Sequence, residues 1–237
     1  MEHEFILLLE TAAEACSVAL SDRGKIVVEK YTDIPKSHAS AIAVFIDNIF
    51  KETGISARDL SAVAVSGGPG SYTGLRVGVS CAKGLCYGAG IPLIAVNTLE
   101  VIAQCAIDNN LVKDASYIVP MIDARRMEVY TATFTPECTM TSPSTALVLV
   151  PESFSRELGE GKVLFTGNGA EKFMGLVPEK SRANVLFAPQ LPHASGLRIR
   201  AHESLQKKEF ENCAYFEPFY LKDFIAGKPK NLLAGMF

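Results

Sequence analysis

One segment constrains this chain more than any other: Ser66-Gly67-Gly68-Pro69-Gly70-Ser71-Tyr72-Thr73-Gly74-Leu75-Arg76. The apolar run 62–66 before it reads as a strand, and 75–88 after it reads as a helix rich in small residues. The glycines between them allow positive φ and close approach to another backbone or an anion. The N–H groups opening the helix could hold an anion. Known phosphate loops do not fit, however. A P-loop needs Gly-Lys-Ser/Thr, and Gly74 is followed by Leu75. A dinucleotide fingerprint fails because Thr73 stands where its third glycine belongs. Two readings stay open. Gly68, Gly70, Ser71, Thr73, Gly74 and Arg76 form a phosphate- or partner-binding turn, or they form a tight structural turn with Ser71 and Thr73 as helix caps.

The flanking sequence supplies strands and helices in alternation. Phe5 to Leu9, Cys16 to Leu20 and Lys25 to Tyr31 read as a three-strand meander, with Ser21 to Gly24 as a turn. A helix follows, because Ile42, Phe45, Ile46, Ile49 and Phe50 recur on one face. Ser37 or Ser40 is the expected cap, and Gly54 the stop. Beyond the glycine segment come a strand (91–96) and a helix (98–108). The second half opens again with strands, 117–123 and 128–135. A loop (135–144), strands at 146–151 and 163–167, a short helix (170–176) and a longer helix (193–210) complete it. Leu197, Ile199 and Leu205 of that last helix are expected to face the core, and the tail from Phe216 reads as extended.

Composition narrows the function. Hydrophobic residues make up 48% of the 237, enough for a substantial core. Net charge is −3, carried by residues 1–103, while 104–237 is neutral, so neither half is a basic nucleic-acid platform. The six cysteines form no C-x-x-C pair and read as reduced, mostly buried thiols. Glu2 and Glu4 stand where a signal peptide would be basic, and the apolar run after them spans only five residues. The expectation is a soluble cytoplasmic protein without a membrane span.

Four segments, 5–20, 68–78, 122–130 (Ile-Asp-Ala-Arg-Arg-Met-Glu-Val-Tyr) and 218–222 (Pro-Phe-Tyr-Leu-Lys), together resemble the TsaB (YeaZ) family, in the right order and over nearly the whole chain. That family is required for threonylcarbamoyladenosine modification of bacterial tRNA. The resemblance implies an α/β, two-lobed fold of the actin, Hsp70 and sugar-kinase (ASKHA) type, with a mixed sheet flanked by helices in each lobe. The lobes are expected at 1–103 and 104–237. The implied role is a non-catalytic scaffold that binds and activates TsaD, with the ATPase TsaE. TsaD transfers threonylcarbamoyl from its adenylate to N6 of adenosine 37 in tRNAs reading codons that begin with A. Alone, such a chain is expected to be a homodimer. It reaches tRNA only through the complex and needs no cofactor of its own, ATP or ADP belonging to the composite interface.

The resemblance assigns roles residue by residue. Ile42, Phe45, Ile46 and Ile49 of one helix, with Val77, Cys81 and Leu85 of the next, become the partner interface. Glu10, Thr11, Asp123, Gly167, Asn168 and Gly169 become a vestigial nucleotide cleft. Catalytic relatives hold a metal with His-x-x-x-His, but here His38 is followed four residues later by Ile42, so no metal is expected. The family's Asp before Thr is replaced by Glu10. Glu10 and Asp123 are either an acid–base pair or a solvated Glu and a turn-capping Asp. The competing functions are a glycoprotease-like (M22) peptidase using Ser71, or a self-sufficient ATPase of the same fold.

Overall fold

The structure is a computed structural model describing residues 3–34 and 37–222. The first sheet contains β1 (Phe5–Glu10), β2 (Cys16–Asp22), β3 (Lys25–Thr32), β4 (Leu60–Gly68) and β5 (Leu93–Asn97). Its order is β3-β2-β1-β4-β5. Strands β1, β2 and β3 pair antiparallel, while β1, β4 and β5 pair parallel. The second sheet contains β6 (Tyr117–Asp123), β7 (Glu128–Phe134), β8 (Met140–Val148), β9 (Val163–Thr166) and β10 (Val185–Phe187). Strands β6, β7 and β8 again pair antiparallel, and β6, β9 and β10 parallel. The two halves therefore repeat one topology, the two-lobed α/β arrangement expected from the resemblance.

The centre of the first sheet is buried on both faces, which is why β1 reads as an uninterrupted apolar run. Leu7 and Leu9 pack beneath α1 (His38–Thr53) and α2 (Tyr72–Ala89). Ile6 and Leu8 pack against the opposite layer, formed by α3 (Thr98–Asp108), a 3-10 turn (Ala194–Leu197) and α6 (Arg198–Lys207). Residues 194–207 thus lie against the first sheet although they follow the second in sequence. Two short helices, α4 (Ser155–Glu160) and α5 (Glu171–Met174), complete the second half. Helix α3 also supplies Leu99 and Ile102 to the core of the second sheet, so it is packed from both sides.

Several local expectations are corrected. Residues 140–144 of the expected loop 135–144 belong instead to β8, an edge strand, where Pro143 is tolerated. That strand ends at Val148, and Pro151 lies in a turn. The expected helix 193–210 begins as a 3-10 turn, and Ile199 is 40% exposed and faces away from the core. Gly67 and Gly68 belong to β4, so the loop after it is only 69–71. Ser37 does occupy the N-cap of α1, but its side chain makes no capping bond. The Ser37 hydroxyl donates to the Ile34 carbonyl (2.7 Å) and that of Ser40 to the Ser37 carbonyl (2.9 Å). Gly54 does end α1, in the left-handed conformation.

All six thiols are free. Cys16, Cys86 and Cys105 are buried, and Cys81, Cys138 and Cys213 half-buried. Burial pushes the Cys86, Cys105 and Cys138 thiols up to about 12 and that of Cys16 to about 11. Among the described residues, no helix is long and apolar enough to cross a membrane.

Candidate functional site

Strands β1 and β4 run parallel, so their carboxyl ends place Glu10 beside Ser66 and deliver the loops that follow each to the same place. The glycine segment is packed against the first loop. The Ser71 N–H donates to the Ala12 carbonyl (2.7 Å), and the Thr11 hydroxyl donates to the Gly74 carbonyl (2.8 Å). A Cβ at Gly70 would strike the Ala12 carbonyl, and one at Gly74 the carbonyl of Thr11. At Gly78 it would strike the Thr11 hydroxyl. The glycines thus admit this chain's own backbone. The Ser71 hydroxyl accepts from Gly74 N–H (3.3 Å) as the N-cap of α2, whereas Thr73 already lies within the helix. Arg76 is exposed, with its guanidinium 4.2 Å from the centre of the Tyr72 ring.

Glu10 is fully buried, which corrects the solvated reading. Its carboxyl accepts the Ser66 hydroxyl and the Ala12 N–H (2.6 Å). Burial in an apolar surround still raises its pKa to about 7, against the opposing pull of those hydrogen bonds. Asp123 sits elsewhere, in its own network. It accepts from the Arg125 N–H (2.6 Å) and pairs with Lys172 (2.6 Å), so it caps the β6–β7 turn. Although burial opposes them, these donors hold the Asp123 carboxyl below the usual carboxylate range. The Asn168 side chain accepts from the Asp123 N–H (3.0 Å). Gly167 and Gly169 press on the β6 backbone, so a Cβ at either would meet Met121 or Ile122. The second glycine turn is therefore also filled by its own lobe.

The tail closes the remaining edge of the first lobe. Phe219 N–H donates to the Gly67 carbonyl (2.7 Å), and Tyr220 packs on Tyr72 with ring centres 5.0 Å apart. Lys83 donates to the Ala214 and Phe216 carbonyls (3.1 and 3.0 Å), and Lys222 pairs with Glu128 of the second lobe. The rest of the expected extended tail, residues 223–237, lies outside the described residues. Among the other candidates, His38 contacts the Ala13 carbonyl through Nε2 (2.8 Å). Among the described residues no group of three metal-ligating side chains is assembled.

The helix pair needs the largest correction. Ile42, Ile46 and Ile49 lie under α1 in the core (4, 7 and 0% exposed), so they are not surface residues. Phe45, Val77, Cys81 and Leu85 are half-buried along the seam where α1 and α2 meet. The outward apolar side chains are Val44 (53% exposed) and Tyr87 (88%). Ser80, Gly84 and Gly88 beside Tyr87 leave the outer face of α2 low, with open space over both glycines. Periodicity found the helix but not which of its residues face outward. Val44 breaks the buried stripe, and that is the signal that marks it.

Comparison with known proteins supplies the family. The model for TsaD, tRNA N6-adenosine threonylcarbamoyltransferase, matches residues 32–230. The tRNA threonylcarbamoyladenosine biosynthesis protein TsaB of Escherichia coli is 32% identical over 94% of this chain and 96% of its own. The chain belongs to the TsaB family. The Haemophilus influenzae TsaB is 39% identical over 55% of this chain and 53% of its own. A solved structure of YeaZ from Pseudomonas aeruginosa matches with TM-score 0.79 and 28% identity, over 92% of this chain and all of that one.

Proposed function

We propose that this chain is a scaffold and activator subunit for a TsaD-type threonylcarbamoyltransferase acting on tRNA, and that it has no catalytic centre of its own. Family membership sets the pathway. The single observation that carries the subunit role is the division of labour between its two regions. The loops that would cradle a nucleotide are occupied by Thr11, Ala12 and the β6 backbone, while the outer face of α1 and α2 leaves Val44, Tyr87 and two uncrowded glycines uncovered. Low glycine positions let a second helix approach closely, and the half-buried Phe45, Val77, Cys81 and Leu85 supply apolar area along the seam.

In this reading the helix pair docks the matching helices of TsaD, and alone it docks a second copy of the chain. TsaE joins the complex, and any ATP or ADP sits where the subunits meet. A peptidase reading has less support, because the Ser71 hydroxyl is the cap of α2. Size exclusion with light scattering tests the proposal. The chain and TsaD from the same genome should co-elute, and Gly84→Arg should abolish co-elution while leaving the circular dichroism spectrum unchanged. Separate elution of the wild-type proteins would reject it.

A further inference from the structure

The turn between β6 and β7 carries two consecutive arginines in the left-handed region, Arg125 (φ 70°) and Arg126 (φ 49°). L side chains other than Asn and Asp are disfavoured there, and glycine is the usual solution. The chain places two long cationic side chains at these positions instead. Uncommon backbone geometry of this kind concentrates at functional sites.

The surroundings hold the turn firmly. Asp123 accepts from the Arg125 N–H (2.6 Å) and from Lys172 (2.6 Å), and Glu128 N–H donates to the Arg125 carbonyl (3.1 Å). Lys172 also donates to the Glu128 carbonyl (3.1 Å), and Lys222 pairs with the Glu128 carboxyl. Both neighbouring lysines are thus neutralised by carboxylates. Arg125 and Arg126 are exposed, and among the described residues neither forms a salt bridge. Arg125 lowers the Asp123 pKa through its backbone N–H hydrogen bond, and its guanidinium adds only the attraction of its charge. Two exposed guanidinium forks therefore sit on a turn held by its own hydrogen bonds.

We propose that the Arg125–Arg126 tip contacts the phosphate backbone of tRNA within the assembled complex. This rests on the function proposed above, and it departs from the expectation that tRNA is reached only through the partner. Guanidinium matches two phosphate oxygens at once. Solvent-exposed arginines suit a nucleic-acid backbone better than a protein interface, where arginine anchors sit in desolvated pockets. The second half carries no net charge, so the tip positions RNA and adds a modest increment to affinity.

Fluorescence anisotropy tests this, using the full chain with TsaD from the same genome and a labelled, unmodified tRNA that reads a codon beginning with A. R125N/R126G fits the left-handed turn better and loses both charges. Its melting temperature should hold or rise by about 2–4 °C. Its complex should bind the tRNA about tenfold more weakly at 50 mM salt, with the slope of log K against log salt reduced by about 1–2. R125K/R126K should keep the slope. Unchanged affinity and slope in R125N/R126G would overturn the proposal. So would a variant that assembles poorly with TsaD yet binds tRNA normally once assembled, since the tip would then be a protein contact. If wild-type chain and TsaD fail to co-elute, the proposed function falls and this inference with it. Co-elution with unaltered tRNA binding removes this inference alone.

Discussion

The Ser66 hydroxyl donates to the carboxyl of Glu10, joining the carboxyl ends of two parallel strands at a fully buried acid. Glu10 replaces the aspartate expected from the family resemblance, and its extra methylene is spent reaching back to Ser66 and to the N–H of Ala12. The carboxyl therefore supports the first loop.

That burial has a pH signature. The Glu10 pKa is raised from 4.5 to about 7 in the fold, so the folded state binds this proton more tightly than the unfolded chain does. Its contribution to stability is fully present below pH 4.5 and is lost as pH rises through 7. Glu10→Gln removes the titration. Relative to wild type, the variant should gain stability between pH 5 and 8, by roughly 3 kcal/mol at most. Urea unfolding at several pH values reads this out, and a constant difference across that range would refute it.

Glycines of α2 should separate by their surroundings. In an exposed helix, Gly→Ala stabilises by up to about 1 kcal/mol. Gly84→Ala should follow that rule, because nothing lies within 4 Å of its added Cβ. Gly74→Ala and Gly78→Ala should reverse it, losing about 1–3 kcal/mol as the new methyl collides with Thr11. Thermal melts of the three variants give the ordering directly.

Charge introduced on α1 should act in two ways. Ile46→Asp places a carboxylate in the core beneath the helix, so the chain should fail to fold rather than merely lose a partner. Val44→Asp, on the opposite side of the same helix, should leave stability within about 0.5 kcal/mol of wild type and weaken TsaD binding. A folded Ile46→Asp chain would contradict the burial assignment.

The tail should come loose when Lys83 is removed. Lys83→Ala deletes two hydrogen bonds to the carbonyls of Ala214 and Phe216, worth about 1–2 kcal/mol together at this partly exposed site. Hydrogen exchange should accelerate at the Phe219 amide, which is bonded to Gly67, and stay unchanged in β6.

Much of this architecture was legible from periodicity. β1, α3 and β6 fall within a residue of where the apolar patterns put them. The first part of edge strand β8 was not, because Thr141, Ser142, Pro143 and Ser144 carry loop chemistry and a half-exposed edge needs no apolar alternation. At the site, sequence marked Glu10, Thr11 and the glycines but not what they touch. Thr11 filling the space over Gly74 and Gly78 is a contact between segments more than sixty residues apart. The same limit hid the burial of Ile42, Ile46 and Ile49. An apolar stripe says that a helix has a covered face, and only the sheet beneath α1 decides that this chain covers it itself.

The most direct test of the central claim is light scattering after size exclusion on the chain mixed with TsaD, wild type beside Gly84→Arg. The account predicts a heterodimeric peak for wild type and two separate peaks for the variant, with identical circular dichroism spectra. A heterodimer that forms equally well with arginine at position 84 would show that the outer face of α2 is not where the partner binds.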